Sequence, residues 1–217
     1  MCKVFFRRKS IGIMVIAIIN YGLGNLSSVA GAIERLGYKY IITNKKEEIR
    51  NSDKFILPGV GAFAEGMQNI KNLELDKILN EVVLEHKKPI LGICLGFHMM
   101  AHEGFEFGHH AGLGWLEASV IKFEIDKNLR LPHVGWNDLF MVRESKLFYN
   151  IPEDALFYYV HSYHMKCKMK EIVTGECLYG ERFTSTIENN NVYGTQFHPE
   201  KSQKWGLQLL RNFVEMA

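Results

Sequence analysis

The sequence predicts an α/β protein: one domain whose central, mostly parallel sheet is flanked by helices and carries an antiparallel portion. Three observations lead to this expectation. Through the first half of the chain short apolar runs alternate with amphipathic stretches, the pattern of strands buried on both faces and joined by crossover helices. Glycine-bearing turns follow three of those runs, in Tyr21-Gly22-Leu23-Gly24-Asn25, Pro58-Gly59-Val60-Gly61 and Leu95-Gly96. In the second half the strand signals become shorter and more polar, as in antiparallel pairs with one wetter face.

The elements follow in order. Val15 to Ile19, preceded by Met14, is a continuous apolar run and predicts a buried first strand; a helical stretch follows around Leu26 to Leu36. Lys39 to Thr43 and Lys54 to Leu57 predict the next two strands, and a helical pattern runs from about Glu65 to Glu85. Pro89 to Ile93 predicts a fourth strand with the helical-looking Phe97 to Glu103 behind it. Right-handed crossovers bring the C-terminal ends of such strands to one edge, where open α/β sheets bind ligands. Beyond it, strands are expected around Val120 to Ile125, Asp138 to Val142, Leu156 to Val160 and Val192 to Gln196, and Trp205 to Met216 closes the chain with apolar residues at helical spacing.

At 217 residues one large core is the default, and 47% apolar with 23% charged residues leaves no room for a long disordered segment. A formal charge of +2 argues against a surface built for nucleic acid or anionic lipid. Cys2, Cys94, Cys167 and Cys177 form neither a disulfide framework nor paired zinc spacing, and His109-His110 has no second Cys or His pair at ligand spacing. They read as reduced thiols in the cytoplasm, with no metal or other cofactor. Arg7, Arg8 and Lys9 precede an apolar run as in a signal peptide, but turn residues rather than a small-residue cleavage site follow it. Residues 1–13 are therefore expected to be a flexible extension of a domain spanning 14–217. No apolar run approaches the roughly 18 residues of a membrane span.

Chemistry concentrates in two places. Cys94 sits in Gly92-Ile93-Cys94-Leu95-Gly96, between a predicted strand and a predicted helix, the context of a nucleophile elbow. A helix beginning there turns its positive dipole end toward the sulfur and favours thiolate. Taken alone, Cys94 reads equally well as one more buried cysteine. A thiolate nucleophile needs a base, and Gln196-Phe197-His198-Pro199-Glu200 offers an imidazole with a carboxylate two residues on, facing the same way if the chain stays extended. Pro199 favours that extension at His198. Attack on an amide also requires donors for the oxyanion, each worth roughly 3 kcal/mol of barrier. The Leu95 N–H is one candidate, and the glycine loop around Val60 offers a second.

With these motifs and Phe197-His198-Pro199-Glu200-Lys201-Ser202 together, the chain from about Met14 onward resembles the class I glutamine amidotransferases, and within them the glutaminase subunits of imidazole glycerol phosphate synthase. The narrower resemblance rests on Tyr21 to Asn25, Leu57 to Phe63, Pro132-His133-Val134-Gly135-Trp136-Asn137, Val160-His161-Ser162-Tyr163 and Gln196 to Ser202. It implies a flavodoxin-like fold and a Cys94–His198–Glu200 triad that hydrolyses glutamine. It also implies substrate contacts from Gly59, Gly61, His98, Glu106, Ser162 and Tyr163, and an oxyanion strand at Val60. Asn25, Trp136, Tyr158 and Lys201 would form the docking face and gate toward a barrel-shaped cyclase subunit. In that heterodimer ammonia would travel through the barrel to a nucleotide-like substrate, yielding imidazole glycerol phosphate and AICAR in histidine biosynthesis.

Two positions depart from the family pattern: His98 replaces a glutamine that helps hold the substrate, and Asn20 replaces a common aspartate. Neutral histidine offers one donor and one acceptor and supplies only part of the glutamine's contact. Two further readings fit the same fold: a paralogous subunit supplying ammonia to a sugar nucleotide in surface polysaccharide synthesis, and a non-catalytic regulatory subunit.

Overall fold

The computed structural model describes residues 14–126 and 128–217; the extension expected at 1–13 lies outside the described residues. Strand β1 (Val15–Ile19) is followed by helix α1 (Leu26–Arg35), β2 (Lys39–Thr43), α2 (Lys46–Asn51) and β3 (Lys54–Leu57). Ile16 and Ile18 enter the core on one face of the sheet, while Ala17 and Ile19 enter the core on the other, which is why the strand reads as an unbroken apolar run. The same division places Ile56 on the first face and Phe55 and Leu57 on the second.

Helices α3 (Phe63–Asn72) and α4 (Leu75–Asn80), the latter continued by a π-helical turn (Glu81–Glu85), replace the single long helix expected over this stretch. The break falls at Glu74, whose φ of +51° cannot continue a right-handed helix. Then come β4 (Ile90–Ile93), α5 (Leu95–Met99), β5 (Ala101–Gly104), β6 (His110–Ala111) and β7 (Leu116–Lys122). The helix expected over 97–103 is thus corrected: it begins two residues earlier and ends at Met99. Ala101–Gly104 instead pairs with β7 in parallel and with β6 antiparallel, so sheet pairing overrides a helical-looking composition.

The second half contains β8 (His133–Asp138), β9 (Phe140–Met141), β10 (Leu156–His161), β11 (Tyr163–Cys167), β12 (Val173–Tyr179), β13 (Glu181–Asn189), β14 (Val192–Thr195) and α6 (Gln203–Met216). Twelve strands form one mixed sheet. Its parallel part runs β2-β1-β3-β4-β14, and the antiparallel strands continue from β14 through β13 and β11 to β7. Strands β8 and β10 pair antiparallel in a separate two-stranded sheet. Helices α1 and α6 cover one face of the large sheet through Val29, Ile33, Leu209 and Phe213, and α3 and α4 cover the other through Phe63, Met67, Ile70 and Leu79. The turns after β1, β3, β4 and β14 therefore meet at one edge.

That edge is assembled by backbone contact. A Cβ added at Gly96 would lie 1.8 Å from the Leu57 carbonyl oxygen, so the start of α5 closes against the end of β3 only because residue 96 has no side chain. Gly96→Ala is expected to destabilise the fold by about 3 kcal/mol in urea unfolding, since the obstacle is backbone that cannot swing aside. An unchanged unfolding midpoint would mean that β3 and α5 separate freely.

Candidate active site

Cys94 joins β4 to α5 with φ +52° and ψ −108°, a conformation that a side-chain-bearing residue occupies only under strain. Its surroundings impose that geometry. The Cys94 N–H donates to the Thr195 carbonyl of β14 at 2.8 Å, and its own carbonyl accepts from the His98 N–H at 2.9 Å. The thiol is turned toward the Val160 carbonyl at 3.9 Å, and Gln196 Nε2 donates to the sulfur at 3.9 Å. Cys94 lines a cavity of about 180 Å³ together with Val60, Leu95, His98, Glu106 and His161. A larger concavity, about 680 Å³, lies elsewhere between Arg143, Lys146 and Tyr149 and contains no member of the predicted triad. Side-chain chemistry, rather than size, identifies the site.

His198, the expected base, follows the adjacent strand. Thr195 is in register with Ile93, so the ends of β14 and β4 lie side by side and bring His198 to the same edge as Cys94. His198 Nδ1 contacts Glu200 Oε1 at 2.8 Å, with both side chains only 2% exposed. The extended chain expected through Glu200 is replaced by a 3-10 turn at Pro199–Lys201, and the carboxylate still reaches the ring. Because a carboxylate only accepts, Nδ1 carries the proton, leaving Nε2 as the basic nitrogen. Nε2 is buried and has no hydrogen-bond partner among the described residues.

Burial opposes charge on His198, yet the sulfur of Cys94 in its ionised form and the Glu200 carboxylate together raise its pKa above the ordinary histidine range. The sulfur acts here as a nearby charge, because Nε2 and Sγ do not meet in hydrogen-bonding geometry in the resting chain. The Glu200 carboxylate, 2.8 Å from Nδ1, favours the charged ring directly.

The other expected substrate contacts divide. Val60, Gly61, Leu95, His98, Glu106, Ser162 and Tyr163 all line the cavity. Gly59 is not among the cavity's lining residues; a Cβ there would lie 2.5 Å from Tyr21 Oη and 2.7 Å from the Gly96 nitrogen, so its lack of a side chain lets the loop nest against α5. Tyr21 Oη donates to the Pro58 carbonyl at 2.7 Å and pins this loop. Burial, reinforced by the charge of Cys94, keeps the phenol protonated and able to donate. Glu106 Oε2 accepts from the Phe63 N–H at 2.8 Å, which ties the cavity wall to the start of α3. His98 Nε2 meets Gln196 Oε1 at 2.7 Å, and burial lowers its pKa to about 4, so the ring is neutral.

Trp136 and Tyr158 are register partners across β8 and β10, with ring centroids 6.0 Å apart, and Lys201 Nζ lies 5.9 Å from the Tyr158 ring. Trp136 is 45% exposed, more than a core tryptophan would be. Asn25 is committed to capping α1, accepting from the Ser28 N–H at 3.2 Å. His198 is held to this strand by its backbone: its N–H donates to the Tyr158 carbonyl at 2.9 Å, while Ser202 Oγ donates to the His198 carbonyl and accepts from the Tyr158 N–H. Sequence reasoning assigns no role to Tyr21, His161, Gln196 or Ser202. All four lie inside the motifs quoted above, but nothing in a motif tells which neighbours its side chains meet.

A strained cysteine and a carboxylate-oriented histidine, at the ligand edge of a mixed α/β sheet, define a cysteine-nucleophile amidase. The family model for "Glutamine amidotransferase class-I" matches residues 17–217. The chain is 45% identical to the imidazole glycerol phosphate synthase subunit HisH 1 of Campylobacter jejuni (strain RM1221), covering 93% of this chain and 100% of that one. It is 41% identical to the HisH 2 subunit of Pseudomonas aeruginosa, covering 94% and 100%. Among solved structures, a glutamine amidotransferase from Thermotoga maritima superposes with a TM-score of 0.67 at 16% identity, covering 94% of this chain and 97% of that one, a likeness of fold. The chain belongs to the class-I glutamine amidotransferases and, within them, to the HisH subunits of imidazole glycerol phosphate synthase.

Proposed function

We propose that this chain hydrolyses glutamine to glutamate and ammonia and delivers the ammonia to a cyclase subunit that makes imidazole glycerol phosphate. The observation that carries the reading is the convergence of the strained Cys94 and the His198–Glu200 pair at one sheet edge. His198 Nε2 takes the thiol proton, and the sulfur attacks the side-chain amide carbon of glutamine. The negative charge passes to the carbonyl oxygen, where the Leu95 and Val60 N–H groups are the proposed donors. Imidazolium returns the proton to the nitrogen as the C–N bond breaks, releasing ammonia and leaving a thioester on Cys94. Water, deprotonated by His198, then cleaves the thioester to glutamate and regenerates the thiol. Glu200 holds the ring in the tautomer that both half-reactions need.

The partner surface in this reading is the exposed face of Trp136, Tyr158 and Lys201, with Asn25 at the start of α1. A barrel-shaped, heterodimeric cyclase with an internal ammonia path would suit it. A cytoplasmic location is supported by the free thiols of Cys94, Cys167 and Cys177; among the described residues no helix is long and apolar enough to cross a membrane.

The reading is tested with amide-labelled [15N]glutamine and the cyclase subunit from the same organism. Label is expected in imidazole glycerol phosphate with wild type and to be absent with Cys94→Ala. Label that appears only in an amino sugar would overturn the acceptor while preserving the glutaminase.

A further inference from the structure

His98 and Gln196 reach Cys94 from two elements, α5 and the end of β14, and meet each other beside it. His98 lies one helical turn after Cys94, and its backbone N–H donates to the Cys94 carbonyl at 2.9 Å. Gln196 continues β14, anchored by its N–H to the Ser185 carbonyl at 2.8 Å. Its side chain is fully buried, so both ends of the amide must be satisfied within the protein. One end meets His98 Nε2 at 2.7 Å and the other meets Cys94 Sγ at 3.9 Å.

This three-member chain has a direction. When His98 Nε2 carries the ring proton it donates to Gln196 Oε1, and the amide then points its NH2 at the sulfur, where a thiolate requires a donor. With the proton on Nδ1 the amide would be satisfied the other way round, and its oxygen would face the sulfur, which suits a thiol and repels a thiolate. The imidazole tautomer therefore decides which form of the nucleophile the amide favours.

We propose that His98 and Gln196 are a positioning pair for the nucleophile, in which His98 orients the Gln196 amide so that its NH2 donates to the thiolate of Cys94. His98 then stands one step behind the sulfur rather than replacing the substrate contact of the family's glutamine. The proposal rests on the reading of Cys94 as the glutaminase nucleophile.

It is tested on the full chain by the rate of iodoacetamide alkylation at Cys94 as a function of pH, with the modified peptide identified by mass spectrometry. The cyclase-bound complex supplies kcat and KM for glutamine. Gln196→Met and His98→Leu each remove the donor and are expected to move the alkylation midpoint up by about one pH unit. At neutral pH kcat is expected to fall about tenfold, with KM changed by less than about twofold. His98→Gln, whose amide donates to Gln196 Oε1, is expected to restore the wild-type midpoint, and the double variant His98→Leu/Gln196→Met to be no worse than either single one.

A raised KM with a wild-type midpoint in His98→Leu would overturn the proposal and return His98 to the substrate. Unchanged midpoints in both apolar variants would overturn it as well. Thermal unfolding of each variant monitors the fold, and if methionine at 196 prevents folding, the comparison of His98→Leu with His98→Gln decides alone. If wild-type Cys94 reacts no faster than Cys167 and Cys177, the glutaminase reading itself fails. If Cys94 is reactive but indifferent to both substitutions, only the positioning pair fails.

Discussion

Cys94→Ala, His198→Ala and the double variant are expected to fall to one common floor of glutamate release, about 10⁵- to 10⁶-fold below wild type in the cyclase-bound complex. The geometry predicts a shared floor rather than multiplied losses. His198 Nε2 has no hydrogen-bond partner among the described residues, so its remaining task is the proton of Cys94 and of the leaving nitrogen. Without the sulfur there is no thioester to form, and the base has nothing to activate. Glu200→Gln is expected to lose less, about 10⁴-fold, because an amide still contacts Nδ1 but no longer enforces the tautomer. Single-turnover release of labelled glutamate measures all four. Losses that multiply in the double variant would show that Cys94 and His198 act independently and would remove the triad.

Acid is expected to destabilise this protein from about pH 6.5 downward, beginning before its carboxylates are titrated. His98 and His133 are buried, and burial lowers both to a pKa of about 4; His161 and His164 are displaced the same way, the latter against the opposing pull of Glu181. His133 is stacked between Tyr159 and Tyr179 with its Nδ1 3.0 Å from His161 Nε2, so a proton added there separates paired rings. The folded pKa lies below the unfolded value of about 6.5, so between those limits the unfolded chain binds more protons. The stability contributed by the neutral rings is complete above about pH 6.5 and is lost as pH falls toward 4. His98 and His133 alone account for about 6 kcal/mol across that window, comparable to the whole stability of an ordinary domain. Urea unfolding at pH 7, 5.5 and 4.5 measures the slope, and His98→Gln is expected to remove about 3 kcal/mol of the loss, its share of the His98 and His133 contribution. A flat profile from 7 to 4.5 would contradict the burial account.

Much of this architecture is visible in one dimension. β1, β2 and β3 have the bounds their sequence pattern predicts; β1 and β3 are buried on both faces and read as near-continuous apolar runs, while β2 is an edge strand with Lys39 and Ile42 exposed, marked by its β-branched and aromatic residues. The elbow is legible only jointly: Gly92 and Gly96 around Cys94 leave a buried structural cysteine equally open, and the His198-Pro199-Glu200 motif is what favours a nucleophile. Where pattern reading goes wrong, a distant partner decides. Ala101–Gly104 has the composition of a helix, and its strand identity comes from β7, whose first residue lies twelve positions after Gly104. The break at Glu74 is a backbone event in a stretch whose apolar spacing stays helical on both sides. His98 shows the limit most sharply. Its position in the motif marks it as a substrate contact, and only the fold brings Gln196, 98 residues away, within 2.7 Å of its ring.

The separateness of the β8–β10 ribbon bears on how far substitutions in it reach. These strands bond to each other and stand outside the twelve-stranded ladder that holds Cys94 at the end of β4. Substitutions on the ribbon's outer face are therefore expected to leave the register of β4 and β14 undisturbed. Tyr158 is where that independence ends, because its ring lies against Trp136 on the ribbon while its carbonyl accepts the His198 N–H.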